Sequence, residues 1–346
     1  ITESIIDKLS QLSTLKKVIT RTLAFRYKGR ETDPQAVGHE LNVRAVLTGR
    51  VILRGNNLIV EAALVDVSDG SRLWGKQYIR NLTDIFGLQE ELLKEICENL
   101  RLRLTDEEKE GLSKRYTENL EAYHAYLQGR YFWNLRTKEG LRKSIEYFRH
   151  AAEKDAGNAL AYAGLADSYV ILGNHGYLPP KEAFPRAKAA AMKALGIDGT
   201  LAEAHAALVY AKFVYDWDWL DAEKEFKRAI ELNPGYATAH QWYALYLAAM
   251  GRHEEAIAEV KQAQELDPLS PIINRGVGFV FYLARQYNRT VEESRKILAV
   301  DPRFAAVRSD VGWCYAQERR YHEAIGEFQR ARAFSEDDVI LSLIHI

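Results

Sequence analysis

Residues 229–240 read AIELNPGYATAH, an apolar helical run that stops at Asn-Pro before a new one begins. The phrase returns as AQELDPLSPIIN at 263–274 and as ILAVDPRFAAVR at 297–308. Proline cannot donate to the helical ladder and pushes the residue before it toward extended backbone, so each phrase is a joint between helices. Pro234, Pro268 and Pro302 lie 34 residues apart in turn, and a fixed period of that length marks stacked supersecondary units.

Between the joints one small set of residues recurs. Residues 237–268 carry Gly251 at a turn, then Ala256 and Ala263 where two helices approach. The unit at 202–234 supplies Ala222, Phe226 and Ala229, and the unit at 305–336 supplies Gly312, Tyr315, Ala324, Phe328 and Ala331. Small residues let backbones come close, and the pattern resembles the tetratricopeptide repeat, a helix-turn-helix unit. Residues 119–156 and 157–199 fit less evenly, with Phe148 and Ala151 in the first, Ala187 and Ala194 in the second, and NHGYLPPKE (174–182) as an insertion. The unit at 271–302 places Thr290, Ser294 and Ile297 where the family usually has Ala, an aromatic and Ala, so looser packing is expected there. Residues 119–338 therefore read as about five repeats in an all-α superhelix, each helix pair shielding its neighbours' apolar faces.

Residues 1–104 follow another grammar. Ile5, Ile6, Leu9 and Leu12 recur at helical spacing, and KKVIT (16–20) reads as a short strand. Asp33-Pro34 opens a helix through Leu41, after which RAVLTGRVILR (44–54) alternates Ala45, Leu47, Gly49, Val51 and Leu53 onto one half-buried face. Gly55-Asn56-Asn57 and Ser68-Asp69-Gly70-Ser71 supply turn chemistry before LIVEAALVDV and RLWGKQYIR, which predicts a three-stranded antiparallel meander. From Thr83, the positions Ile85, Leu88, Leu92, Ile96 and Leu100 predict an amphipathic helix over that sheet, ending near Leu104. Thr105 with Glu108 is a capping-box signal that opens a helical connector, 105–118.

The stretches TESIIDKLSQL (2–12), FRYKGRETDPQAVGHELNVRAVLTGRV (25–51) and DGSRLWGKQYIR (69–80) resemble the TolB amino-terminal-like αβ domain of bacterial regulators. The resemblance implies an α+β domain over residues 1–104. It also implies a strand ahead of the first helix, which these residues lack, so a bare sheet edge able to pair with other chains is expected. The chain opens at Ile1 without methionine, and residues upstream are expected. Residues 339–346 are expected to be a non-native tail, because LSLIHI reads as a translated sequencing adapter.

Composition excludes some classes. The net charge of −1 is spread evenly, with 19 Lys/Arg against 17 Asp/Glu in residues 1–116 and 28 against 31 in the rest, so no basic half exists to grip nucleic acid. No apolar run is long enough to span a membrane. Cys97 and Cys314 fall in apolar helical patterns and read as buried thiols.

No catalytic or metal-binding residue set and no cofactor motif emerges. His253-Glu254-Glu255 begins like a zinc helix, but Ile257 stands where the second His is needed, and His322 is followed by Gly326; both histidines read as exposed helix-start residues. Gly276-Val277-Gly278 lacks the strand and third glycine of a dinucleotide loop and reads as helix packing. The carboxylates of DVSDGS (66–71) read as a hairpin turn rather than a calcium loop.

What remains is a recognition surface. Repeat register places Tyr210, Phe213, Gln241, Leu245, Arg275, Phe279, Tyr282, Ser309 and Trp313 on the groove side of the first helices. That set is aromatic and nearly uncharged, so the expected partner is a protein or an extended apolar or aromatic peptide rather than an acidic chain end. AYLQGRYFWNLRTKEGLRKSIEYF, YAGLADSYVILG and FVYDWDW further resemble repeat arrays joined to TolB-like domains in bacterial Ser/Thr kinases and winged-helix regulators. The resemblance implies a non-catalytic sensing scaffold on either side of the bacterial inner membrane, with self-association through the αβ domain as one way to act. The alternative is an envelope assembly or adaptor protein without an output domain.

Overall fold

The computed structural model describes residues 1–15, 17–30 and 32–334. They form two compact units: residues 1–127, 150–158 and 233–235, and residues 128–149, 159–232 and 236 onward. Residues 339–346 lie outside the described residues.

The first unit holds α1 (Thr2–Ser10), α2 (Arg21–Arg26), α3 (Pro34–Leu41), β1 (Ala45–Arg54), β2 (Asn57–Asp66), β3 (Arg72–Asn81), α4 (Ile85–Asn99), α5 (Asp106–Ser113) and the first part of α6 (Leu120–Asn134). Asp33 caps α3 by accepting from the Gln35 and Ala36 amides, both at 3.2 Å, and Pro34 takes the first position. The strands form an antiparallel β1-β2-β3 sheet. Arg54 pairs with Asn57, leaving Gly55-Asn56 as a two-residue turn with Gly55 at φ 59°. The carboxylates of Asp66 and Asp69 accept from the Ser68 and Ser71 amides at 2.9 and 2.8 Å, so this acidic loop is occupied with closing its own turn.

On the inner face of the sheet, Leu58, Val60 and Tyr78 pack against Leu88, Leu92 and Ile96 of α4. Lys76 on the same strand reaches Glu91 and Glu95 at 2.8 and 2.6 Å. The core extends past residue 104, because Leu112, Leu120 and Leu127 also pack onto it. Reciprocal bonds between Thr105 and Glu108 close the capping box of α5.

Two expectations for this unit fail. Residues 17–20 form no strand, and Lys16 lies outside the described residues; the two apolar residues Val18 and Ile19 are too short a run to define a paired face, and Thr20 leads directly into α2. The alternation on β1 is real, since Leu47, Val51 and Leu53 face the same way as Leu64, Val60 and Leu58. That face is not half-buried, however: Leu47, Val51 and Leu53 are 37%, 53% and 57% exposed. The α4 helix packs with β3, and β1 instead borders a cleft of about 1540 Å³ lined also by Ile5, Leu9, Val37 and Ile96. Among the described residues β1 is an outer strand of the sheet.

The second unit is all-α. It holds the rest of α6 and part of α7 (Lys138–Lys154), then α8 (Ala159–Asn174), α9 (Pro180–Ile197), α10 (Ala202–Ala211), α11 (Ala222–Leu232), α12 (Ala237–Ala249), α13 (His253–Leu266), α14 (Pro271–Leu283), α15 (Tyr287–Val300), α16 (Ala305–Gln317) and α17 (Tyr321–Phe334). A π-helical turn, Lys212–Asp216, extends α10. Consecutive helices pack as hairpins, and first helices of successive hairpins also touch, as α12 does α14 and α14 does α16. This is the all-α repeat array expected from the period, though α6 to α17 make six hairpins among the described residues where about five repeats are expected.

Close approach follows from the small residues. A methyl at Gly129 or Gly164 would lie 2.5 Å from the ring of Phe148, and one at Gly312 would lie 2.7 Å from Phe328. Ala229, Ala256, Ala263 and Ala331 are completely buried. Hairpin turns repeat with the same period: Gly251, Arg285 and Arg319 have φ 76°, 59° and 61°. The next amide in each case, from Arg252, Gln286 and Arg320, bonds back to Leu247, Phe281 and Tyr315 at 2.9 Å, which is the left-handed helix stop known as the Schellman motif. In the 271–302 unit, the Thr290 hydroxyl donates to the Gly278 carbonyl at 3.0 Å and is fully sealed. The departure from Ala at Thr290 is thus met by a hydrogen bond rather than a void.

Candidate functional site

The nine groove candidates separate into three buried residues, five half-buried ones and the paired Arg275. Tyr210, Gln241 and Ser309 are buried. Tyr210 stacks on Trp242 at 4.6 Å, Gln241 donates to the Ile272 carbonyl at 3.1 Å, and Ser309 donates to Ala305 of its own helix at 3.2 Å. These three are held within the array. A methyl at Gly276 would meet Gln241 at 2.7 Å, so the glycine admits that side chain between α12 and α14, as the packing reading of Gly276-Val277-Gly278 expects.

Phe213, Leu245, Phe279, Tyr282 and Trp313 are half-buried. Phe213 meets the edge of Tyr246 at 5.5 Å, Phe279 stacks with Tyr282 at 6.0 Å, and Trp313 meets Phe328 at 5.4 Å. Leu245, Phe279 and Trp313 are 34 residues apart in turn, so one position on three successive first helices presents a large apolar side chain. Rings held by neighbouring rings lose little freedom on contact with a ligand, which suits recognition. Arg275 is not free: its guanidinium grips Asp310 of α16 through two bonds, 2.7 and 3.1 Å.

A polar cluster at the other end of the array escaped the sequence reading. Arg130 and Trp133 stand on α6, Arg136 just beyond it, Asp167 on α8, Glu203 on α10 and Tyr236 just before α12. The guanidinium carbons of Arg136 and Arg130 lie 3.4 and 4.4 Å from the Trp133 ring centre. Arg130 approaches Asp167 at 3.7 Å, an ion pair without a hydrogen bond, and the Tyr236 hydroxyl donates to Asp167 Oδ2 at 3.3 Å. Asp167 Oδ1 and Trp133 Nε1 are buried without a hydrogen-bond partner among the described residues.

Burial dominates the electrostatics here. It pushes the Asp167 carboxyl up to about 7 against the pull of Arg130, raises Glu203, lowers Arg136 to about 10 and lowers His175 to about 4. The available signal was the density of Arg and Trp in GRYFWNLR, but its partners come from α8 and the α11–α12 joint, far away in sequence.

Elsewhere the chemistry is quiet. Cys97 and Cys314 are buried free thiols pushed up to about 11 and 12 by desolvation, which disfavours the reactive thiolate. His253 and His322 lie in the first turns of α13 and α17; His322 is exposed as expected, whereas His253 is half-buried. Among the described residues no group of three His, Cys, Asp or Glu side chains could hold a metal ion, and no helix is long and apolar enough to cross a membrane.

Residues 214–271 match the family model of the tetratricopeptide repeat, and the chain contains such repeats. Among curated proteins, it is 37% identical over 170 residues to a Rhizobium meliloti (strain 1021) protein named as an adenylate cyclase, covering 48% of this chain and 28% of that one. It is 25% identical over 227 residues to the transcriptional regulator HilA of Salmonella typhimurium, covering 64% of this chain and 39% of the regulator. The chain thus spans well under half the length of these relatives. Among solved structures, the human IFIT1 dimer with m7Gppp-AAAA superposes with a TM-score of 0.53 at 15% identity, over 70% of this chain and 54% of that one, a likeness of fold alone. Tetratricopeptide repeats generally mediate protein–protein contact.

Proposed function

We propose that the repeat array binds an extended peptide segment of a protein partner along its first helices, and that the chain is the sensing part of a bacterial signalling or transcription-regulatory protein. The observation that carries the binding site is the row of half-buried apolar side chains, Leu245, Phe279 and Trp313, one on each of three consecutive first helices. An extended chain has side chains at regular intervals, and a ladder of pockets at the repeat spacing reads them in turn. Phe213 and Tyr282 widen the same aromatic surface.

The regulatory context rests on resemblance. The relatives named as an adenylate cyclase and a transcriptional regulator are longer than this chain, and the first unit resembles a TolB-like domain. In this reading partner binding, or self-association through the sheet unit, repositions an output domain. The chain itself is a non-catalytic scaffold that uses no cofactor, and it does not contact nucleic acid.

The test is a pair of substitutions at partly exposed positions. Phe279→Ala with Trp313→Ala is expected to weaken peptide capture at least tenfold while leaving the circular dichroism spectrum unchanged. Unchanged capture by that double variant ends the groove reading.

A further inference from the structure

The groove reading leaves Arg136 unexplained. It follows α6 in left-handed backbone, φ 55°, with its guanidinium carbon 3.4 Å from the Trp133 ring centre. Among the described residues no carboxylate is within ion-pairing distance of it, although it is half-buried. A half-buried guanidinium with no contact counter-ion has donors to spare for a ligand. Trp133 fixes the plane of the group without neutralising it, so its donors are oriented and still available.

We infer that the α6 end of the groove seats an acidic side chain, Asp or Glu, of the bound peptide on the Arg136 guanidinium. The inference rests on the groove reading and adds to it the charge of one ligand residue. The carboxylate is assigned to a side chain, with the ligand backbone running on along the row, and the test below separates this from a carboxy terminus seated at the same end. Three acids of the array face Arg136 or its neighbours: Asp167, Glu203 and Asp267. Asp167 is engaged by Arg130 and Tyr236. Glu203 stands near Arg130 with no ion pair of its own among the described residues, and burial raises its carboxyl as it does that of Asp167. Against the two guanidiniums, Asp267 adds one carboxylate that bears on Arg136 from beyond ion-pairing distance, and a further carboxylate from a ligand complements the cluster.

The test uses the purified chain and a phage library of random peptides displayed without free carboxy termini. Wild type is expected to enrich sequences with Asp or Glu at a fixed distance from an aromatic residue. Converting that acid to its amide, in the synthetic peptide with an amidated end, should weaken binding about tenfold. Arg136→Gln should erase the preference for acid over amide, and Arg136→Lys should keep part of it. Melting curves establish that each variant folds, and the charge-keeping Arg136→Lys serves if Arg136→Gln does not. Equal binding of acid and amide peptides, or binders without any acid, overturns this inference and leaves the groove standing. An acid preference confined to a library with free carboxy termini overturns the side-chain assignment. Enrichment that survives Phe279→Ala with Trp313→Ala, or no enrichment by wild type, overturns the groove itself and this inference with it.

Discussion

Among the described residues the array contains two arginine–aspartate pairs that bridge successive first helices, and they are built differently. At the late end Arg275 and Asp310 meet through two short bonds, 2.7 and 3.1 Å. At the early end Arg130 and Asp167 stand 3.7 Å apart with no hydrogen bond between them, and one oxygen of the more deeply buried aspartate is unpartnered. The same two residue types thus give one closed pair, suited to holding helices in register, and one open pair inside a cluster with orientable donors. A buried ion pair stabilises little unless its geometry is complete, so the open pair is a poor structural device and a better recognition device.

The largest expected effect tests the closed pair. Arg275→Ala leaves Asp310 buried without its partner and should destabilise the chain by about 3 kcal/mol, read by urea denaturation. A loss below about 1 kcal/mol would remove the contrast between the two ends.

Next comes the pH dependence of the open pair. The Asp167 carboxyl is raised to about 7 by burial, so the folded state keeps its proton at a pH where the unfolded chain has lost it. Stability attributable to this group is highest below the ordinary aspartate range near 4 and falls as pH rises through about 7. Asp167→Asn should therefore be nearly neutral at pH 4 and stabilise by about 2 kcal/mol at pH 8. Melting curves at both pH values check it, and a variant that is less stable than wild type at pH 8 would show that the charged form is well accommodated.

Packing offers a control of intermediate size. Gly164→Ala at the early end and Gly312→Ala at the late end both drive a methyl into a phenylalanine ring, and each should destabilise by about 1–2 kcal/mol. Similar losses would confine the difference between the ends to electrostatics. The smallest effect is a gain: Arg285→Gly and Arg319→Gly relieve left-handed backbone and should each stabilise by about 0.5–1 kcal/mol, whereas Gly251→Ala should destabilise.

Legibility in the sequence followed the range of the interactions. The joints at Pro234, Pro268 and Pro302, the Asp33 cap, the Thr105 capping box and the Gly55-Asn56 turn are local, and each stands where its residues place it. The face of β1 was legible from its alternation, but its cover was not, because that depends on where α4 settles. Arg285 and Arg319 hid the period of the turns, since the backbone there needs what glycine supplies and the residue type gives no sign. At the candidate site, the repeat register found the half-buried row and also drew in Tyr210, Gln241 and Ser309, whose burial depends on the neighbouring helix. The polar cluster needed helices α6, α8 and α10 and the joint before α12 brought together.

The periodic left-handed stops carry one more consequence. Helix hairpins stabilised mainly by their neighbours lose order from the ends inward, and the last two hairpins turn on arginine, as the first does on Arg136, where the α12–α13 hairpin turns on glycine. Amide protons of α17 should therefore exchange with solvent deuterium ahead of those of α12 and α13, a gradient of protection along the chain that glycine at the two late corners would flatten.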